Sequence, residues 1–142
     1  MREKSITLTQ KQQAHEAGEQ PERESYHFAE LALADILPVL LWTLTKQEDD
    51  YDEDEWTVAM AAATCISLLA QCVGNNVIQP VVPFIETNIQ NEDWRNREAA
   101  VMAFGSILDG PDPAVLTPLV DQVSWALMLR REGRGAGIRL EY

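Results

Sequence analysis

The stretch Asp93-Trp94-Arg95-Asn96-Arg97-Glu98-Ala99-Ala100 decides the fold, because the chain holds a second copy of its outline. Trp94 is followed five residues on by Ala99-Ala100, and Trp56 is followed five residues on by Ala61-Ala62. The two tryptophans are 38 residues apart. A second signature alternates with the first. Three apolar runs carry an internal proline: Ile36-Leu37-Pro38-Val39-Leu40, Val81-Val82-Pro83-Phe84-Ile85 and Leu116-Thr117-Pro118-Leu119-Val120, with 35 residues from Pro83 to Pro118. Repeats of this length made of alternating helix types indicate a two-helix solenoid, in which each pair buries its apolar face only by stacking on its neighbours.

The apolar periodicity places five helices and no strand. The first runs from about Ser25 to Thr45, with Phe28, Leu31, Ala32, Asp35, Ile36, Val39 and Leu40 as its packing face and a kink expected at Pro38. The second spans Thr57 to Val73, with Ala61, Ala62, Cys65, Leu68, Leu69 and Cys72 as its buried stripe and Gly74-Asn75-Asn76 as its terminator. The third covers Val77 to Gln90 around Pro80 and Pro83. The fourth starts on the N-cap Asp93 and stops at Gly110-Pro111. The fifth starts at Asp112 or Pro113 and continues to Leu129. The predicted class is all-α, with short turns between antiparallel neighbours. A polar lead occupies residues 1–22, the helical array 23–129, and a basic, Gly-rich, disordered tail 130–142.

The register of the repeat isolates one segment. From Pro83 to Trp94 is eleven residues, whereas from Pro38 to Trp56 is eighteen, so the first pair carries seven extra residues between its helices. They fall in Glu48-Asp49-Asp50-Tyr51-Asp52-Glu53-Asp54-Glu55-Trp56, where seven of nine residues are acidic. Like charges this dense repel, so the run is a solvated loop. A solubilising insertion is the plain reading. Insertions in stacked repeats map to one face, often the binding face, which favours a docking loop for a basic partner.

Composition supports that choice. The 142 residues carry a net charge of −12, and the span from Gln47 to Leu129 holds only Arg95 and Arg97 against fourteen acids. This argues against nucleic acid and against anionic membrane surfaces. No transmembrane helix is expected from the hydropathy pattern, and MREKSITLTQKQQ is not a signal peptide. Cys65 and Cys72, about 10 Å apart along one helix, are too distant for a disulfide and read as core residues of a reducing compartment.

Other chemistry finds little support. Asp50, Asp52 and Asp54 fit the first ligand positions of a calcium loop, but Glu55 and Ala61 stand where glycine and glutamate are needed. No metal or cofactor site is expected. His15 and His27 have no nucleophile at motif spacing and read as solvated or cap-side residues. Gly133-Arg134-Gly135-Ala136-Gly137 lacks the strand–helix context of a phosphate loop. An enzyme is therefore not expected. Trp56, beside the acids, should be partly exposed and suits a Lys/Arg-rich ligand through cation–π contact. Trp94 reads as a packing residue at its turn.

The helical pairs resemble HEAT repeats. In that family the Asp-then-Arg pattern of the second helix forms a ladder between repeats, which here would be Asp93 and Arg97. More specifically, Leu37–Gln47 (LPVLLWTLTKQ), the acidic run ending in Trp56, Gln79–Ile89 (QPVVPFIETNI) and Asp93–Pro111 (DWRNREAAVMAFGSILDGP) resemble the importin-beta (karyopherin-beta) family over roughly Glu16 to Gln122. The resemblance implies an α-solenoid of about two and a half HEAT repeats. It implies a nuclear import role: binding the basic segment of importin-alpha, binding the GTP form of Ran, and passing FG nucleoporins, in cytoplasm, nucleus and nuclear pore. The acidic loop, carried over as Asp49, Asp50, Asp52, Glu53, Asp54, Glu55 and Trp56, would lie near the first two partners. FG sites lie between neighbouring outer helices in the family and are not assigned by sequence. The family's carriers hold many more repeats, so the chain resembles a fragment. A HEAT scaffold of another class, or a non-functional remnant, is the alternative.

Overall fold

A computed structural model describes residues 27–48 and 55–131. The expectations for residues 1–22, for Asp49, Asp50, Asp52, Glu53 and Asp54, for His15 and for the tail beyond Arg131 lie outside the described residues. Among the described residues five helices follow in order: α1 (Phe28–Leu44), α2 (Val58–Val73), α3 (Ile78–Asn88), α4 (Trp94–Ser106) and α5 (Pro113–Arg131), with a 3-10 turn over Gly74–Val77 between α2 and α3. Among the described residues there is no strand. α1 packs on α2 and α3 on α4, and the pairs are joined chiefly through α2 against α4. The chain is an α-solenoid of HEAT type, as its repeat demanded.

The helix starts are chemical. Thr57 accepts a hydrogen bond from the Met60 amide at 3.2 Å, and Asp93 from the Arg95 amide at 3.0 Å. Asp112 does the same for Ala114 at 2.8 Å. Each satisfies one of the amides that a helix N-terminus leaves unpaired. His27, the residue preceding α1, sits with φ +55° and places Nδ1 3.2 Å from the Glu30 carboxylate, so its cap-side reading holds. Gly74 ends α2 with φ +61°, a conformation that glycine adopts without strain.

Between Thr57 and Ile85 the chain carries no charge, and Val58–Asn88 is apolar enough by composition to cross a membrane. The break at Gly74 divides it into helices of 16 and 11 residues. Neither alone reaches the roughly 20 residues needed to cross about 30 Å of hydrocarbon. Their apolar faces pack instead into the protein core, with Ile66, Ala70, Val77, Val81, Val82 and Ile85 fully buried.

Several expected faces are corrected. α1 buries Leu33, Leu37, Leu41 and Leu44, while Phe28, Leu31, Ile36 and Val39 are exposed. Its sequence, FAELALADILPVLLWTL, is apolar on more than one side, so two stripes satisfy helical spacing and contact with α2 selects one. α2 buries Ala59, Ala62, Ile66, Ala70 and Val73; Leu68 and Cys65 are exposed, while Cys72 is half-buried and packs against the core, so of the two cysteines only Cys65 departs from the expected core position. Both are free thiols. The fourth helix stops at Ser106, earlier than expected, and α5 runs to Arg131, so Arg130 and Arg131 are helical rather than part of the tail.

Candidate partner-binding site

The acidic run leaves and re-enters the stack at one edge, built by the end of α1 and the starts of α2 and α4. On the outgoing side, Gln47 donates from Nε2 to the Leu44 carbonyl at 3.0 Å and to Met102 Sδ at 3.2 Å. Its own carbonyl accepts from Arg95 Nε at 3.3 Å. The Arg95 guanidinium also lies 5.0 Å from the centre of the Trp94 ring and 3.8 Å from the Asp93 carboxylate. On the returning side, Glu55 is exposed, Trp56 is 68% exposed and Thr57 caps α2. The stems at both ends are thus tied to packed helices, and Trp56 stands in solvent.

The expected Asp93–Arg97 ladder takes another form. Arg97 donates to the carbonyls of Asn91 at 2.8 Å and Glu92 at 2.6 Å, tying down its own turn. Asp93 is occupied with its cap. Arg95, two residues earlier, is the arginine that makes a contact across repeats, because it reaches the turn of the preceding pair.

Among the described residues, no group of three His, Cys, Asp or Glu side chains is arranged to hold a metal. Of the sequence-derived site residues, Glu55 and Trp56 are brought to the edge just described.

A second feature escaped sequence reasoning. α1 and α3, the first helices of consecutive pairs, leave between them an apolar groove of about 380 Å³. Leu33, Ala34, Leu37, Pro38, Leu41, Trp42 and Thr45 line it from α1 and its end, and Pro80 and Phe84 from α3. Pro38 has no N–H to offer the carbonyl of Ala34, so the regular i to i−4 hydrogen bond is missing at this point of the wall. Trp42 is 60% exposed, and Lys46 Nζ sits 4.0 Å from its ring centre. The recurring prolines at 38 and 83 were the available signal. They mark the helices that form the groove, but spacing alone does not show that two such helices lie side by side.

No protein-family model matches the chain. Among curated proteins, importin subunit beta-1 of Schizosaccharomyces pombe is 58% identical over 111 residues, covering 78% of this chain and 13% of that protein. Importin subunit beta-1 of Saccharomyces cerevisiae is 50% identical over 99 residues, covering 70% of this chain and 12% of that one. Among solved structures, yeast importin-beta (Kap95p) superposes with a TM-score of 0.74 at 44% identity, over 82% of this chain and 13% of that chain. A Kap95:Nup1 complex matches with a TM-score of 0.74 at 43% identity, over 84% of this chain and 14% of that chain. So does a structure in which Kap95p binding induces the switch loops of RanGDP to adopt the GTP-bound conformation, with a TM-score of 0.72 at 44% identity, over 82% of this chain and 13% of that one. This chain spans only about an eighth of the length of the curated relatives it matches. Sequence identity and the shared stack of helical pairs together establish that the chain belongs to the importin-beta family, as a HEAT-repeat stretch containing the acidic loop.

Proposed function

We propose that this chain carries part of the binding surface of a nuclear import carrier, and that it acts by docking partners rather than by catalysis. The observation that carries this reading is the acidic run. Seven carboxylates between Glu48 and Glu55 sit between the two helices of one pair, in a chain 58% identical to an importin subunit beta-1. Asp49, Asp50, Asp52, Glu53, Asp54 and Glu55 attract a Lys/Arg-rich segment such as that of importin-alpha, or a basic patch on Ran. Trp56 offers an indole face to the incoming cation. Each exposed ion pair contributes only about 0.2–1 kcal/mol, so affinity comes from several acting together and is screened by salt. The groove between α1 and α3 is the second docking site, for the phenylalanine side chains of FG nucleoporins. Its apolar lining suits an extended peptide that buries an aromatic ring. A carrier of this kind works in the cytoplasm, in the nucleus and at the pore between them.

The test is calorimetric titration of a Lys/Arg-rich peptide into the chain and into a variant with Asp52, Glu53, Asp54 and Glu55 replaced by serine. The peptide binds the native chain, weakens steeply between about 50 and 300 mM salt as the Debye length shortens, and loses most of its affinity for the variant. Equal affinity for both would reduce the run to a solubilising insertion.

A further inference from the structure

We propose that Lys46 makes the α1–α3 groove selective for peptides that carry an acidic residue next to the buried aromatic side chain. This rests on the groove's being a docking site, and it adds which peptides that site prefers. The groove itself is almost entirely apolar: of the residues that line it, only Trp42 and Thr45 bring polar side-chain atoms. Such a surface binds an aromatic ring but does not distinguish its neighbours, so discrimination has to come from the rim.

The rim has one cationic feature. Lys46 follows directly on Thr45, which lines the groove, and its ammonium lies over the Trp42 ring, another lining residue. Between Phe28 and Asp93, among the described residues, Lys46 is the sole cation. The other charges on α1, α3 and their connecting turns are all acidic: Glu30, Asp35, the seven carboxylates from Glu48 to Glu55, Glu86, Glu92 and Asp93. Stacking on Trp42 restricts the four-carbon stem of Lys46 and holds the charge beside the groove mouth rather than free in solvent. The acidic residue of a bound peptide therefore lies toward the C-terminal end of α1, which also orients the peptide along the groove.

The sign of the effect makes it diagnostic. A protein with net charge −12 repels acidic peptides in general. Without a contact to Lys46, a peptide with a glutamate beside its phenylalanine binds more weakly than one with a glutamine there. With the contact, the order reverses.

Two synthetic peptides test this, identical except for Glu or Gln beside a central phenylalanine. Their affinities for the chain are measured by fluorescence anisotropy at low salt. The Glu peptide binds about two- to fivefold more tightly, the range expected for an exposed ion pair. Lys46→Gln reverses the order, and Lys46→Arg keeps it. Ala34→Phe, which fills the groove from an exposed wall, abolishes binding of both peptides while leaving the helical circular dichroism unchanged. If Ala34→Phe removes binding but Lys46→Gln leaves the preference intact, the role of Lys46 is overturned and the groove reading stands. If neither peptide binds, or Ala34→Phe has no effect, the groove reading fails and the selectivity falls with it.

Discussion

Gly110→Ala should break the joint between the second helical pair and α5. Gly110 has φ +130°, where a side chain on an L-residue is strained. Strain of this kind costs roughly 1–3 kcal/mol. A Cβ built there lies 2.3 Å from the Ala70 carbonyl oxygen, 2.5 Å from its carbon and 2.8 Å from the Gln71 nitrogen. These are backbone atoms inside α2, so relief requires the 107–112 segment to move by about an ångström rather than a side chain to turn. Forcing an extra carbon into a packed site costs typically another 1–3 kcal/mol. The displaced segment also carries the Gln71–Asp109 hydrogen bond of 2.9 Å and the Asp112 amide bond to Asn75 of 2.7 Å. We expect a total loss of about 4 kcal/mol, a large share of the 5–15 kcal/mol typical of a domain. At about 4–8 °C per kcal/mol for an ordered region near 100 residues, the melting temperature falls by well over 10 °C. Thermal and urea unfolding followed by circular dichroism measure the loss, and hydrogen exchange locates it, with α5 amides opening first. Gly105→Ala is the internal control: it lies in α4 with nothing within 4 Å of its new Cβ. It should stabilise by about 0.5–1 kcal/mol through helix propensity. A Gly110→Ala protein within about 1 kcal/mol of wild type would refute the reasoning, since that is no more than the lower bound of the strain alone.

Leu37→Ala removes a fully buried side chain at the α1–α2 contact and should cost about 2–5 kcal/mol in chemical denaturation. Thr57→Ala deletes the cap of α2 and should cost about 0.5–2 kcal/mol, with Thr57→Ser restoring most of it. Arg97→Met leaves the Asn91 and Glu92 carbonyls without their guanidinium partner; a loss of roughly 1–3 kcal/mol, with faster hydrogen exchange in the 89–93 turn, is expected. α5 exposes Trp125, Leu127 and Met128, so the chain should self-associate at high concentration, and Trp125→Glu together with Met128→Glu should shift sedimentation toward monomer. Leu116, Leu119 and Val123 of the same helix are buried in the core and do not contribute to that exposed face.

The amino-acid order alone sets the class of fold and, among the described residues, the five helices. Prolines at 38, 83 and 118, the Trp–Ala–Ala outline at 56 and 94, and the caps Thr57 and Asp93 are local chemistry, and local chemistry is legible along one dimension. It also located the acidic run between the helices of one pair, because a repeat makes an insertion visible as a break in register. Which side of each helix is buried was decided only by the tertiary structure. In a solenoid a helix can be apolar toward its partner and toward both neighbouring pairs, so α1 offered the stripe through Leu31 and Ile36 and the stripe through Leu33 and Leu37. Helical spacing is satisfied by both; packing against α2 chose the second. The cross-repeat role went to Arg95 rather than Arg97 for a similar reason, since reach to Gln47 depends on how two pairs stack. The groove with Lys46 at its rim belongs wholly to tertiary structure: Pro38 and Phe84 are 46 residues apart in sequence, and only the stacking of the pairs makes them two walls of one site.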